Sequence, residues 1–330
     1  MTNFCTYFDS YYMLKGLSLY TSLERVCKTF HMYVMALDKE CFYKLKSLSL
    51  KYMTVELLSN IETPELLAVK PTRSRGEYCW TCGPSIILYF LTCYNLDSIT
   101  YLDSDLMFFS DPNVVFEEVS GSSIAITEQG VDEKTSRTYG RYCVQYITFR
   151  NDENGLGALT WWKNSCIEWC FQKIEKNRYG DQKYLDEFPK KWRNVHVIKN
   201  IGAGIAPWNM HKYKYEGNQV ILKGKRYPIV FFHFHGVKIE IVDDVLHVSS
   251  LHNELNNSLI KSFYDPYAEL LKEVLATYYG FKIRQTIIHD MPLWKKVDYR
   301  LRAHLRNNSI IRWVWFSLLR KKDSGHGTKF

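Results

Sequence analysis

The stretch Ile99-Thr100-Tyr101-Leu102-Asp103-Ser104-Asp105-Leu106-Met107-Phe108-Phe109 decides the fold, because it places two carboxylates one residue apart at the end of an apolar, β-prone run. In open α/β sheets, ligands bind in the crevice beyond the carboxyl ends of the strands. On an ideal strand Asp103 and Asp105 point to the same side, while Ser104 points away. Both carboxylates could then reach one cation, although paired Asp residues also close strands and open turns where no ligand binds.

The chemistry of this pair favours a hard divalent cation. Carboxylate oxygens suit Mg²⁺ or Mn²⁺, and Mg²⁺ is commonly held by one or two carboxylates while phosphate oxygens and water complete its shell. The pair Asp103 and Asp105 therefore predicts a site for Mn²⁺ or Mg²⁺ that acts on a phosphorylated substrate.

The segments around this stretch predict the fold class. Strand-like runs at 4–8, 31–37, 53–57 and 99–102 are separated by segments with helical spacing, which indicates βαβ units. Further strand-like runs lie at 123–127, 144–149 and 229–234, and a Trp-rich helix is predicted at 155–176. We expect an α/β protein with a Rossmann-like, mostly parallel central sheet flanked by helices.

The pattern becomes helical after residue 250. Helical spacing is present at 251–263, 266–279 and 295–319, and Asp265-Pro266 has the form of a helix start. We therefore predict one domain at 1–250 and a C-terminal helical extension with a basic, aromatic-rich tail at 251–330.

Composition narrows the class of protein. The chain has 330 residues, of which 46% are hydrophobic and 15% aromatic, so it can bury a sizeable core. Nine cysteines, an odd number scattered through apolar segments, indicate reduced thiols. We find neither a run of about 18 apolar residues nor a secretory signal at the start, and we expect a cytoplasmic protein.

The net charge of +8 is concentrated at one end of the chain. Residues 289–330 contain ten Lys or Arg residues against three Asp residues, together with Trp294, Trp313 and Trp315. This composition is typical of a helix that lies on an anionic membrane surface, here through 295–322 on the inner face of the plasma membrane. A C-terminal helix packed on the core with a solvated basic face is equally consistent with it.

A second segment with possible chemistry is Val230-Phe231-Phe232-His233-Phe234-His235-Gly236-Val237-Lys238. An imidazole can serve as one further ligand to a divalent cation. Gly236 would let the backbone approach a diphosphate, and Lys238 could neutralise that diphosphate. The alternative is a strand that ends in two histidines, one of them in the core.

Two loops complete the candidate set. In Tyr179-Gly180-Asp181-Gln182, the polar pair Asp181 and Gln182 could stabilise a reacting sugar by hydrogen bonds, or Asp181 could simply start a helix. In the Gly-containing loop 200–209, Trp208 offers a flat face that can stack on a sugar or a base. We predict that Trp208, Asn209 and His235 contact the sugar or the acceptor.

Together these segments resemble the nucleotide-sugar glycosyltransferases of the GT-A fold, in particular the bacterial family 8-like enzymes that build lipopolysaccharide, O-antigen, capsule and related surface glycans. The resemblance extends from residue 4 to about residue 279. Asp103-Ser104-Asp105 matches the metal and nucleotide-sugar motif of that family, and Gly180-Asp181-Gln182 matches its Asp-Gln motif. His233-Phe234-His235-Gly236 resembles its His-x-x-Gly motif, which makes His233 the third metal ligand.

The resemblance implies a metal-dependent enzyme that transfers a sugar from a nucleoside-diphosphate sugar, with a UDP-sugar favoured, to a cell-surface glycan or a lipid-linked acceptor. It places Phe8, Asp9 and Tyr11 beside the nucleotide base and ribose. Retention of anomeric configuration is favoured, with Asp181 and Gln182 stabilising the developing charge of the sugar; in an inverting enzyme, Asp181 would be the base.

Two segments depart from the family pattern. The family continues from its motif Gly to Lys-Pro-Trp, whereas Lys238 is followed here by Ile239 and Glu240. Relatives often have Asn-Val-Gly where this chain has Cys143-Val144-Gln145. These departures affect the details of donor and acceptor binding and the stereochemical outcome, but they leave the metal site intact.

Two other classes of function compete with this one. Paired carboxylates and basic surface also occur in nucleic-acid-processing metal enzymes. That class is disfavoured because the positive charge lies in one terminal segment and no nucleic-acid-binding motif is found; no nucleic-acid partner is expected. A catalytically inactive scaffold with the same fold would be free to lose Asp103, Asp105, Asp181 and His233, and all four are present.

Overall fold

The structure is a computed structural model, and it describes residues 1–252 and 258–290. The strands are β1 (Thr2–Phe8), β2 (Phe30–Ala36), β3 (Met53–Leu57), β4 (Ser98–Leu102), β5 (Leu106–Phe108), β6 (Ile124–Glu128), β7 (Tyr142–Arg150), β8 (Val195–Val197), β9 (Ala203–Ile205), β10 (Lys214–Glu216), β11 (Gln219–Leu222), β12 (Lys225–Pro228), β13 (Phe231–His233), β14 (Val237–Val242), β15 (Val245–Ser250) and β16 (Gln285–Ile288). The helices are α1 (Met13–Val26), α2 (Lys39–Leu48), α3 (Pro64–Val69), α4 (Arg75–Cys93), α5 (Asn113–Glu118), α6 (Glu133–Tyr139), α7 (Glu153–Glu168), α8 (Phe188–Lys191) and α9 (Ser258–Val274).

Short helical turns link these elements. They are 3₁₀ helices at Leu58–Asn60, Lys70–Thr72, Gln182–Glu187 and Met210–Lys212, and a π-helical turn at Leu275–Tyr279 that continues α9. Within the two described ranges, every helix is too short or too polar to cross a lipid bilayer.

The central sheet has seven strands in the order β3-β2-β1-β4-β7-β6-β8. Strand β7 is antiparallel to both of its neighbours, and the other pairings are parallel. The predicted α/β class with a mostly parallel central sheet is therefore confirmed. Because β1 and β4 are parallel neighbours, the residues that follow their carboxyl ends, Asp9 and Asp103, meet at the same edge of the sheet.

Each face of the sheet packs against its own helices. Strand β1 alternates between the two sides: Phe4 and Phe8 belong to a core that includes residues of α1 and α9, whereas Cys5 belongs to a second core with residues of α4 and α7. This alternation is the two-residue repeat of a strand that is buried on both faces. The helices therefore cover both faces, and the carboxyl edge of the sheet carries the polar residues.

A second, three-stranded sheet builds the candidate site. Its order is β5-β13-β9, with β5 antiparallel and β9 parallel to β13. In this register His233 pairs with Leu106, the residue that directly follows Asp105. The pairing thus joins two segments that the chain separates by more than a hundred residues.

Three predicted elements differ from the structure. The Trp-rich helix α7 ends at Glu168 rather than at residue 176, and Arg73 Nη2 donates hydrogen bonds to the carbonyls of Ile167 and Glu168 at its end. Helix α9 runs through Pro266, so Asp265-Pro266 is not a helix start. The segment after residue 250 is not purely helical, since β16 pairs with β15 in parallel.

Packing accounts for the continuous helix α9. Tyr264, Tyr267 and Leu271 are fully buried in the same core as Phe232 and Phe234, and this burial outweighs the hydrogen bond that the proline removes. The division at residue 250 stays a prediction, although α9 shares its core with the preceding domain. The basic tail at 295–322 lies outside the described residues.

Candidate active site

The two carboxylates lie in a turn between β4 and β5. Strand β4 ends at Leu102, and the N–H of Leu106 returns to the carbonyl of Asp103 at 3.4 Å. The chain does not continue as an ideal strand here, which corrects the expected alternation. The N–H of Asp103 donates to the carbonyl of Gln145 at 3.0 Å, so β7 fixes the start of the turn.

His233 meets both carboxylates at this turn. Its Nε2 lies 3.0 Å from Asp105 Oδ1 and 3.7 Å from Asp103 Oδ2. The N–H of Phe234 donates to the Asp105 carbonyl at 2.9 Å, which extends the β13–β5 pairing to the site. The structure therefore brings together the three residues predicted as metal ligands, Asp103, Asp105 and His233. Ser104 lies between the carboxylates and is half-buried.

The electrostatics of these three groups are coupled. Burial opposes a charge on His233, but Asp105 and, more weakly, Asp103 raise its pKa to about 10. Burial also opposes a charge on Asp105, yet His233 holds the pKa of that carboxyl well below its usual range. Burial and the charge of Asp105 raise the pKa of Asp103. At neutral pH the His233 imidazolium thus offsets the charge of one carboxylate, that of Asp105.

The donor set fits a divalent cation. Two carboxylates that lie 3.0 and 3.7 Å from one imidazole are, with that imidazole, ligands that Mn²⁺ accepts, and Mg²⁺ accepts the carboxylates. A bound cation would take the place of the proton on His233 Nε2, since a histidine ligates through a neutral imidazole.

Residues that the sequence analysis did not single out as site residues hold these side chains in place. His233 Nδ1 lies 2.7 Å from Oε1 of Gln145, a fully buried side chain, which leaves Nε2 facing the carboxylates. The Tyr101 hydroxyl donates to Asp103 Oδ1 at 2.8 Å, and its ring stacks on Tyr7. A glutamine in the middle of a mostly apolar, β-prone run was the sequence signal for this role.

Asp181 lies close enough to interact electrostatically with Asp103. Burial and the charge of Asp103 raise the pKa of Asp181 to about 7. Trp162 Nε1 donates to the backbone carbonyl of Asp181 at 2.9 Å and fixes the start of this loop. The amide of Gln182 instead donates to the carbonyl of Tyr139 at 3.2 Å, at the end of α6.

The three predicted nucleoside contacts at the end of β1 differ in solvent exposure. Phe8 is buried in the core, so only its backbone faces the edge of the sheet. Asp9 is nearly buried, and it lies 2.6 Å from Arg75 at the start of α4. Tyr11 is 76% exposed at this edge, and its ring contacts the ring of Tyr12. The proposed base and ribose contacts thus reduce to Asp9 and Tyr11.

Lys15 is a candidate binding residue that the sequence analysis missed. It lies in the first turn of α1, it is buried, and its Nζ is 3.3 Å from the carbonyl of Val237. Burial lowers the pKa of Lys15, the nearby charge of Asp105 partly opposes this shift, and Lys238 adds to it. A lysine in a first helical turn that contains no acidic residue was the available signal, because that end of a helix attracts anions.

Gly236 and Lys238 follow the histidines. Gly236 has a φ of +74°, and a Cβ there would lie 2.6 Å from the ring of His252, so the close turn requires glycine. Lys238 is exposed, as a contact to a mobile diphosphate would need.

The predicted sugar-binding residues divide into two groups. The Trp208 ring contacts both His233 and His235 edge to face, with centroids 5.4 and 5.7 Å apart. His235 is exposed. Asn209 is buried, and its amide bonds the backbone of Gln129, Gly204 and Ala206, which fixes the loop. We therefore leave Asn209 out of the proposed sugar-binding surface.

Two solved structures share this architecture. The galactosyltransferase LgtC, in complex with donor and acceptor sugar analogs, matches with a TM-score of 0.55 and 11% identity over 82% of this chain and 96% of that chain. The glycosyltransferase GlyE of Streptococcus pneumoniae TIGR4 matches with a TM-score of 0.51 and 15% identity over 84% of this chain and 63% of that chain. The chain has the GT-A fold. The predicted fold is thereby confirmed, and at these identities the likeness concerns the fold alone.

Two Bacillus subtilis (strain 168) proteins resemble the GT-A chain in sequence. The uncharacterized protein YfnD is 29% identical over 276 residues, which cover 82% of this chain and 88% of YfnD. The uncharacterized protein YfnF is 27% identical over 284 residues, which cover 82% of this chain and 92% of YfnF. No family model matches the chain.

Proposed function

We propose that this GT-A protein is a metal-dependent glycosyltransferase that moves a sugar from a nucleoside-diphosphate sugar, preferably a UDP-sugar, to a cell-surface glycan or lipid-linked acceptor. The observation that carries the proposal is the contact of His233 with Asp103 and Asp105 at the carboxyl edge of the sheet. That edge is where open α/β sheets bind their ligands.

Asp103, Asp105 and His233 would hold Mn²⁺ or Mg²⁺. When bound, the cation supplies Lewis-acid stabilisation of the nucleoside diphosphate as a leaving group. Buried Lys15, exposed Lys238 and the Gly236 backbone would bind the same diphosphate, because all three lie beside or directly after His233 and His235. Asp9 and Tyr11 bind the nucleoside at the end of β1.

Asp181 acts on the sugar. Its raised pKa supports a role in proton exchange near neutral pH, and its electrostatic interaction with Asp103 supports a role beside the donor. In a retaining reaction, which we favour, the ionised carboxylate stabilises the positive charge that develops on the sugar ring. Gln182 would assist only after its amide leaves the carbonyl of Tyr139. Trp208 would line the side where the acceptor enters.

The acceptor class and the location form part of the proposal. An enzyme that builds lipopolysaccharide, O-antigen or capsule works in the cytoplasm on acceptors that are anchored in lipid. The ten basic residues at 289–330 would hold it on the inner face of the plasma membrane, since such clusters bind anionic lipids. Removal of 295–330 should then reduce binding to anionic liposomes, and unchanged binding would exclude this part.

A panel of nucleotide sugars tests the central proposal. The purified chain is screened by Mn²⁺-dependent hydrolysis of each donor and by thermal shift with each nucleoside diphosphate. We expect one nucleoside diphosphate to raise the melting temperature only when Mn²⁺ is present, and Asp105→Ala to abolish that shift.

The matched control is Asp97→Ala. Asp97 is exposed and directly precedes β4, at the opposite edge of the sheet from Asp105, so its removal should leave the shift unchanged. Circular dichroism of both variants checks that they fold. If no nucleoside diphosphate shifts the melting temperature of the folded wild-type chain, the proposal is wrong.

A further inference from the structure

Strand β13 presents alternate residues to two different neighbours. Phe232 stacks on Phe263 and Phe234 on Tyr267, so the even-numbered side chains face α9. Phe231 stacks on Tyr146, and His233 bonds the adjacent Gln145, so the odd-numbered side chains face β7. His235 lies in the turn that follows the strand, and the contacts of its ring with His233 and Trp208 place it on the same side as His233.

The ring of His235 is held at the carboxylates. It packs edge to face on Trp208 and on His233, with centroids 5.7 and 5.4 Å apart, and it stacks on His252 at 5.2 Å with 23° between the planes. The tight turn at Gly236 allows the His252 ring to approach so closely. Aromatic packing on three sides thus fixes the ring, while its exposure leaves it accessible to a ligand.

The ligand atoms are close enough to share one ion. One atom each of Asp105, His233 and His235 lies within 4.8 Å of the others, a spacing that fits three ligands on one cation. Asp103 Oδ2 adds a second carboxylate 3.7 Å from His233. The motif that predicted His233 did not include His235, which the sequence analysis assigned to the sugar or acceptor.

We infer that His235 is a second imidazole ligand, which makes the centre a two-carboxylate, two-imidazole site that disfavours Mg²⁺. The inference rests on the proposed function, because it concerns the same metal. Imidazole suits later transition metals better than Mg²⁺, so each imidazole moves the preference of the site away from Mg²⁺. We expect the affinity order Mg²⁺ below Mn²⁺ below Co²⁺.

Pulsed electron paramagnetic resonance of bound Mn²⁺ counts the coordinated imidazole nitrogens and tests the inference. Wild-type protein titrated with Mn²⁺ alone should show two, and both His235→Ala and His233→Ala should show one. Loss of an outer-shell partner typically weakens metal binding about 10- to 100-fold, so loss of a direct ligand should weaken it at least as much. Calorimetry should show this effect of His235→Ala on Mn²⁺ binding and a smaller effect on Mg²⁺ binding.

His31→Ala is the matched control. His31 lies near the start of β2, at the edge of the sheet opposite the site. Its substitution should therefore leave the spectrum and the Mn²⁺ affinity unchanged. One imidazole nitrogen in the wild type, with unchanged Mn²⁺ affinity in His235→Ala, would overturn the inference and leave the proposed function standing. If the folded wild type binds no Mn²⁺, both are wrong.

Discussion

Asp181 provides the sharpest test of the electrostatics of the site, because its carboxyl is buried beside a second acid. Its pKa is raised from 3.8 to about 7 by burial and by the charge of Asp103. A carboxyl whose pKa is higher in the folded state than in the unfolded state destabilises the folded state when it is ionised. Stability is therefore lost as the pH rises from about 4 to about 7, and the loss is constant above that. Asp181→Asn removes the charge and should stabilise the metal-free protein at neutral and alkaline pH.

The magnitude follows from the shift in pKa. About three pKa units at about 1.36 kcal/mol per unit give about 4 kcal/mol as an upper bound for the gain at pH 8. Water penetration and relaxation around the ionised group reduce this gain, so we expect about 2 kcal/mol or more. At pH 4 the carboxyl is largely protonated in the folded state and partly so in the unfolded state, and the variant should gain little.

Urea unfolding of wild type and variant at pH 4.5, 6, 7 and 8, followed by circular dichroism in the presence of a chelator, measures the difference in unfolding free energy at each pH. The exposed Asp97→Asn is the control, and its difference should stay near zero at every pH, because an exposed carboxylate changes little in solvation on unfolding. A difference for Asp181→Asn that is the same at pH 4.5 and pH 8, or that shows destabilisation at pH 8, would refute the reasoning.

Three further predictions concern the ligands and their neighbours. Gln145→Leu removes the partner of His233 Nδ1 and should weaken Mn²⁺ binding about 10- to 100-fold in a calorimetric titration; unchanged binding would show that Gln145 does not orient the ligand. Because a proton on His233, with a pKa of about 10, must leave before Nε2 can bind a cation, Mn²⁺ affinity should rise about tenfold per pH unit between pH 6 and 8. His233→Asn should flatten that dependence, and a flat wild-type profile would contradict it. Lys15→Met should weaken UDP binding in the presence of Mn²⁺ about tenfold or more by calorimetry, whereas full affinity would place Lys15 outside the diphosphate site.

The parts of the fold that the sequence predicted are those with local causes. Strand β4 is an apolar, β-prone run, and the paired carboxylates that follow it mark the edge of the sheet by residue type alone. The His233 segment could be recognised in the same way, because its histidines interrupt an aromatic strand. Each of these signals lies within about ten residues of sequence.

The parts that the sequence did not predict depend on distant packing. Gln145 and His233 are 88 positions apart, and Lys15 and Val237 are 222 apart, so no local pattern could join them. Helix α9 passes through Pro266 because its aromatic residues are buried against β13, a contact that also lies outside any local window. Tertiary burial overrides the local helix-start signal there.

The core strand β13, rather than a loop, therefore positions His233, one of the three candidate metal ligands. The even-numbered residues of β13 are stacked on α9, which fixes the strand, and the odd-numbered residues are then presented to β7 and to the carboxylates. A shift of one residue in the β13–β5 pairing would turn His233 toward α9 and bring a phenylalanine to Asp105. The same aromatic packing that buries this strand thus selects the register in which an imidazole, and not a phenyl ring, meets the two carboxylates.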